Sequence, residues 1–240
     1  MMPGLDHAKV LGPGVLAFST DGRSDFHHGD PFSPECFCLT AQQRDRLKDG
    51  GLPNPDDIIF PKQVHGDAVW VVTGLEVECR GLREADAVVT NKVGVPVAVR
   101  TADCLPLLIF DPVRRVVAAV HAGWKSARLG IAARTVAVMR DNYGALPSDL
   151  RAAIGPCIRR DSYQVGDEFR GYFPEDVMES PRGLCLDLAG ANIRQLLAAG
   201  VRLENIHDCG LDTFSDQKMH SFRRDADAAG RMIHVIMLAG

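Results

Sequence analysis

The sequence predicts an α+β protein. Two observations lead there: strand-like segments follow one another through the middle of the chain, and helical segments interrupt them irregularly instead of after every strand, as a βαβ alternation would require. With 240 residues, no internal repeat, no low-complexity tract and no long linker, residues 1–240 are expected to form one domain.

In chain order, the stretch Ser19 to Pro34, STDGRSDFHHGDPFSP, is crowded with Gly, Asp, Ser and Pro and reads as an irregular surface segment. AQQRDRLKDGG then reads as a short helix closed by Gly50 and Gly51. After the breaker run LPNPDD, the pieces IIFPKQVH, AVWVVTG, ADAVVTN, PVAVRTADCLPLLIFDP and VVAAVHAGW are β-rich and separated by turn residues. LGIAARTVAVMRDNYG carries apolar residues at helical spacing, and LDLAGANIRQLLAAGV is a further helix with Gly200 just past its end. RAAIGPCI and GRMIHVIML complete the strands.

Composition narrows the partners. A formal charge of -4 gives no electrostatic reason to expect nucleic acid or an anionic membrane. The N-terminus lacks a basic region followed by an apolar stretch, and no apolar run reaches the roughly 20 residues that span a bilayer, so a cytoplasmic protein is expected. Seven cysteines, an odd number scattered along the chain, fit free thiols in a reducing compartment. Cys36 and Cys38 form a C-x-C with no second pair at zinc-finger spacing, so ordinary thiols are expected there.

One local anomaly points to chemistry. In TADCLPLLIF, Asp103 and Cys104 sit against a run otherwise written as a buried strand. KQVHG and VHAGW place His65 and His121 at comparable strand ends, 39 residues before and 17 residues after Cys104. Such separations are too long for a local zinc knuckle but suit neighbouring strands of one sheet. Three protein ligands leave a zinc ion a fourth position for water or substrate. Taken singly, each has another reading: a turn histidine, a small core cysteine, a capping histidine. The same residues would also serve a hydrolase or transferase in which Cys104 is the nucleophile and His65 or His121 its base.

KQVHG, ADAVVTN, TADCLPLLIFD, VAAVHAGW, AAIGPCIRRDSYQVGDE, DLAGANIRQLLAAGV and HSFRRDADAAGRM, in this order, resemble the YfiH-like family, named polyphenol oxidase or laccase and also described as purine nucleoside phosphorylases. The resemblance runs from about Pro61 to the C-terminus, with a divergent, shortened segment over about residues 1–60. It implies a layered α/β/β/α sandwich with mixed β-sheets. It also implies zinc held by His65, Cys104 and His121, with Asp103 either orienting a ligand, binding substrate or serving as a strand-edge carboxylate. The implied reaction is phosphorolysis of purine nucleosides such as adenosine, inosine and methylthioadenosine, with adenosine deamination also attributed to the family.

Phosphorolysis needs cations for phosphate, because an anion must be held against C1′ of the ribose as the purine departs. Arg44, Lys62, Lys125, Arg223 and Arg224 are the candidates, Gln63 is a contact for purine or ribose, and Trp124 either stacks on a base or belongs to the core. Lys125-Ser126 stands where the family has Arg-Gly, exchanging a bidentate donor for a point charge. His27 and His28 are either a further ligand source or part of a polar loop. Copper is the alternative metal, although the laccase reaction needs several coppers and one ligand set is found. The oligomeric state is not written in the sequence.

Overall fold

The computed structural model describes residues 4–23, 25–26 and 39–240. His27, His28, Cys36 and Cys38 therefore lie outside the described residues. Among the described residues the strands follow in the order β1 (Gly4–Asp6), β2 (Val15–Thr20), β3 (Val69–Val72), β4 (Ala87–Thr90), β5 (Val97–Thr101), β6 (Leu105–Asp111), β7 (Val116–Ala122), β8 (Arg151–Ile154), β9 (Val177–Ser180), β10 (Gly183–Leu186), β11 (Ile206–Asp208) and β12 (Met232–Leu238). The helices are α1 (Ala8–Leu11), α2 (Ala41–Asp49), α3 (Trp124–Arg128), α4 (Ile131–Tyr143), α5 (Phe169–Tyr172), α6 (Leu188–Ala198) and α7 (Phe222–Asp225).

A four-stranded sheet has the order β1-β2-β12-β5, and its pairs are antiparallel. A six-stranded sheet has the order β11-β8-β6-β7-β4-β3, with parallel pairs at its two edges and antiparallel pairs between. The hairpin β9-β10 stands apart.

Strand periodicity explains the stacking, because successive side chains point to opposite faces. On β6, Leu107 and Ile109 join one core while Leu108 and Phe110 join another; on β7, Ala118 and Val120 alternate with Val117 and Ala119 in the same way. One of these cores packs the six-stranded sheet against α4 and α6 through Val136, Met139 and Leu196. The other lies between the two sheets, where Val97, Val99 and Ile236 meet Leu108 and Val117. The outer face of the four-stranded sheet, with Phe18, Ala98 and Val235, is covered by Leu47 of α2. The result is an α+β fold with helix, sheet, sheet and helix layers. Strands covered on both faces read as continuous apolar runs, which is what LPLLIF and VVAAV are.

Local chemistry sets the helix boundaries. Thr40 caps α2 in a capping box, its hydroxyl accepting from Gln43 N while the Gln43 side chain accepts from Thr40 N. The expected helix from Leu129 onward begins at Ile131 instead, because Gly130 takes a left-handed conformation (φ 80°) between α3 and α4. Asp187 caps α6 by accepting from Gly190 N.

Three segments differ from the sequence reading. Ser19 and Thr20, expected in an irregular stretch, finish β2 and pair with β1 and β12. IIFPKQVH makes only isolated bridges, at Ile59 and Lys62. Pro61 has no N–H to give a ladder, and the chain then turns at His65 (φ 58°). The third is the TADC stretch: β5 belongs to the four-stranded sheet and β6 to the six-stranded one. Residues 102–104 are thus the crossover between sheets, with Asp103 left-handed at φ 81°. The polar break in the apolar run marks the point where the chain changes layer.

Candidate metal centre and its cavity

The centre is organised by a carboxylate that neither charge nor motif drew attention to. Asp86, fully buried at the entrance to β4, accepts hydrogen bonds from three successive backbone N–H groups of the KQVHG turn: Val64 (3.3 Å), His65 (3.0 Å) and Gly66 (2.6 Å). These bonds stabilise the left-handed His65, which would otherwise be a strained position for a residue with a Cβ. The same carboxylate lies 2.7 Å from His121 Nδ1. An ionised carboxylate only accepts, so Nδ1 carries the proton and Nε2 is the nitrogen left to ligate.

His121 enters from β7, buried, its N–H donating to Asp86 O (2.7 Å). Cys104 enters from the sheet crossover, half-buried, with Sγ 3.7 Å from His65 Nε2. One ligand atom from each of His65, Cys104 and His121 falls within 4.8 Å of the others. Among the described residues this is the one group of three or more such side chains gathered this closely.

Burial alone would raise the Cys104 thiol, but the charge and hydrogen bond of His121, with His65 beside it, bring it down to about 6. Burial would likewise lower His121, yet the Cys104 thiolate and Asp86 lift it to about 9. In the metal-free protein the pair is therefore a thiolate beside an imidazolium. A metal cation bound there would take the place of that proton.

The backbone leaves room for it. A Cβ on Gly123, between His121 and Trp124, would sit 2.8 Å from His65 Cδ2 and 3.0 Å from Cys104 Sγ. Gly123 has an ordinary φ of -69°, so the requirement here is space and not conformation. Two imidazoles and a thiolate, one imidazole already oriented by a carboxylate, fit a zinc ion with a free coordination position.

Around the triad opens a cavity of about 650 Å³. Its wall carries Lys62, Arg100, Lys125, Arg223 and Arg231, against one carboxylate, Asp103. Trp124, Tyr163 and Phe222 supply aromatic surface. Lys62 lies 2.9 Å from Glu84. Arg223 donates from its side chain to Gln164 O (2.9 Å) and lies over the Tyr163 ring at 5.2 Å. Lys125 lies over the Trp124 ring at 5.6 Å, while Trp124 itself packs against Phe169 at 5.0 Å, so it is both wall and core.

Other residues singled out in the sequence are engaged elsewhere. Gln63 clips the backbone of Arg100, donating to its O and accepting from its N, both at 2.8 Å. Arg44 sits on α2 in an ion pair with Asp56 (2.9 Å) and is not among the cavity-lining residues. Arg224 donates to the carbonyls of Thr213 (2.9 Å), Phe214 (3.1 Å) and Met219 (2.7 Å), and so holds the loop that precedes α7. Asp103 accepts from the Thr213 hydroxyl and from Arg223 N, each at 2.6 Å. It fastens the segment that carries Phe222 and Arg223 beside the strand crossover that carries Cys104. The carboxylate that orients the His121 imidazole is Asp86.

Asp86, Gly123, Arg100, Arg231, Tyr163 and Phe222 were not identified from the sequence. Only Asp86 left a signal, an acid opening the apolar run AVV in the same way that Asp103 interrupts its own.

Two layered sheets meeting at a His-Cys-His centre under a cationic cavity define a protein with, among the described residues, one candidate metal site and room for a small anionic ligand. The chain belongs to the YfiH-like family: the family model described as multi-copper polyphenol oxidoreductase laccase matches residues 39–239. A purine nucleoside phosphorylase of Deinococcus radiodurans is 40% identical over 203 residues, covering 82% of this chain and 77% of that protein. Adenosine deaminase RL5, from an unknown prokaryotic organism, is 33% identical over 225 residues, covering 84% and 85%. The crystal structure of YlmD from Geobacillus stearothermophilus superposes with a TM-score of 0.83, at 28% identity, over 95% of this chain and 93% of that one. No helix among the described residues is long and apolar enough to cross a membrane.

Proposed function

We propose that the protein is a zinc-dependent purine nucleoside phosphorylase acting on nucleosides such as adenosine, inosine and methylthioadenosine, with adenosine deamination as a second activity of the same site. The observation that carries this reading is the combination in one cavity of the His65, Cys104 and His121 triad with a wall of five cations. The relatives' names support both activities.

Zinc, which His65, Cys104 and His121 would hold, would supply a Lewis acid to the site. Asp86 keeps His121 in the tautomer that ligates and keeps the His65 turn closed. Arg223, Arg231 and Lys125 hold phosphate against the ribose, so that the C1′–O bond forms as the glycosidic C1′–N bond breaks. Trp124, Tyr163 and Phe222 offer flat apolar surface to the purine. A cavity of about 650 Å³ accommodates a nucleoside and an inorganic anion together. The laccase reading asks for several coppers, and the one triad found among the described residues does not by itself supply their ligands.

The second reading, a cysteine nucleophile, has an observation of its own in the lowered Cys104 thiol beside the raised His121. The two separate in one experiment. Zinc-loaded protein is incubated with inosine or adenosine, with and without phosphate, and ribose 1-phosphate, free base and ammonia are separated by chromatography, with Cys104→Ala as control. Phosphate-dependent release of base, lost in the variant together with the zinc, supports the phosphorylase. Ammonia without phosphate dependence moves the assignment to deaminase. Rapid alkylation of Cys104 by iodoacetamide in zinc-saturated protein, with no product from either nucleoside, favours the nucleophile.

A further inference from the structure

Away from the metal triad, a second set of polar side chains is buried between the two sheets. Ser19 on β2 pairs with His234 on β12, and His234 pairs with Val99 on β5. Thr101, two residues beyond Val99, points to the same face of the sheet. The side chains form a continuous chain: His7 Nε2 lies 2.8 Å from Ser19 Oγ, Ser19 Oγ 2.7 Å from His234 Nδ1, and His234 Nε2 2.8 Å from Thr101 Oγ1. All four residues are at most 2% exposed. The inner end, Thr101, lines the cavity three residues before Cys104.

The fold does not ask for this chain. Four polar side chains in an otherwise apolar inter-sheet layer could be exchanged for apolar residues of like shape at little cost, because a satisfied buried hydrogen bond contributes modestly. Gly155 is closely fitted to it, since a Cβ there would lie 3.0 Å from Ser19 Oγ and 3.5 Å from His234 Nδ1. Burial, then the nearness of His7 and of His121, holds His234 well below the ordinary histidine range, and His7 is likewise lowered. Both rings are neutral at pH 7.

A neutral imidazole donates from one nitrogen and accepts at the other, so the chain has two self-consistent directions. In one, His7 donates to Ser19, Ser19 to His234 and His234 to Thr101, which leaves the Thr101 O–H to donate into the cavity. In the other every bond is reversed, and Thr101 offers the cavity an acceptor.

We propose that His7, Ser19 and His234 are positioning residues that hold the Thr101 hydroxyl and couple its donor or acceptor role to the histidine tautomers, and that Thr101 is a polar contact for the substrate, meeting a ribose hydroxyl or a phosphate oxygen. The inference rests on the nucleoside reading for the identity of that substrate. Neither the metal ligands nor the cationic wall contribute to the chain.

The test is a double-mutant cycle in zinc-loaded protein with inosine and phosphate. Thr101→Val lowers kcat/KM by roughly three- to tenfold, the value of one neutral hydrogen bond, with zinc content and melting temperature retained, and Thr101→Ser restores it. His234→Leu lowers kcat/KM to a similar extent, and the double variant is no worse than either single one, because both remove the same contact. Wild-type kcat/KM in Thr101→Val, or effects that multiply in the double variant, overturns the proposal. Should wild-type protein turn over no nucleoside, the functional reading fails, and nitrogen NMR of the histidine rings decides the chain separately. Inorganic phosphate or inosine then shifts the His234 ring nitrogens in wild-type protein and not in Thr101→Val; an unmoved His234 overturns the inference.

Discussion

The protein buries histidines in two places and treats them in opposite ways. His121, in the metal centre, faces a thiolate and a carboxylate and is raised to about 9. His7, at the outer end of the inter-sheet chain, faces a serine hydroxyl and is lowered to about 4, by burial first and then by His207, with Asp6 opposing. Both are almost fully buried. Burial therefore does not decide the charge of a histidine; the partner does, because desolvation disfavours the ion in both places and at His121 the Cys104 thiolate and Asp86 outweigh it. The first environment attracts a cation, whereas the second excludes a proton.

Acid should break this comparison first, with the largest effect expected. A histidine at about 4 in the folded chain and 6.5 unfolded binds fewer protons when folded, so its contribution is complete above 6.5 and is lost as pH falls toward 4. The shift corresponds to about 3 kcal/mol. His234 adds to it with the same sign. Urea unfolding at pH 7.5 and at pH 4.5 measures the loss, and His7→Gln, which retains a polar group without a titrating one, should flatten the slope. An unchanged slope in that variant would place the acid sensitivity elsewhere. His121 contributes in the opposite direction in metal-free protein, its share present below 6.5 and lost as pH rises through about 9.

Asp86→Asn sharpens the comparison from the other side. The carboxylate accepts from three backbone N–H groups and from His121. An amide has one oxygen and presents N–H groups in place of the other, so donors of the His65 turn or of His121 would face a donor. Zinc affinity should fall by about 10- to 100-fold, the usual cost of losing the group that orients a ligating imidazole. Competition with a chromophoric chelator reads it directly. In the metal-free variant, His121 should also titrate lower than in wild type, approaching the behaviour of His7.

The legibility of these features follows the same division. Continuous apolar runs announced doubly covered strands, and the three candidate ligands were visible because His and Cys at strand ends are uncommon choices. Asp103 was conspicuous in the sequence for a reason that proved partly architectural: its carboxylate ties Thr213 and Arg223 N at the point where the chain passes from one sheet to the other. Such a crossover cannot be read from PVAVRTADCLPLLIF, because both halves are written as strand and the sheet each joins depends on distant partners. Ser19, His234 and Thr101 were invisible for a similar reason, being single polar residues whose meeting depends on the pairing of β2, β12 and β5. Arg44 and Gln63 had the right chemistry for a substrate, but neighbouring groups, Asp56 and the Arg100 backbone, take up that chemistry.

Gly123→Ala tests whether the centre needs space as well as ligands, and its effect should be the smallest of the three. The added methyl group meets His65 at 2.8 Å and Cys104 at 3.0 Å, and its own backbone conformation is unstrained. His65 is exposed on its turn and can swing outward, whereas Cys104 is held by the crossover, so the relief should come from the imidazole. Folding stability then changes little, while zinc binding weakens by about tenfold, within the usual cost of inserting one methyl group into a fitted site. The inter-sheet chain should not respond, and the acid slope set by His7 should match wild type. A variant that binds zinc as tightly as wild type would mean that His65 is not drawn in as close as the structure places it, and the centre would rest on Cys104 and His121 with Asp86 behind them.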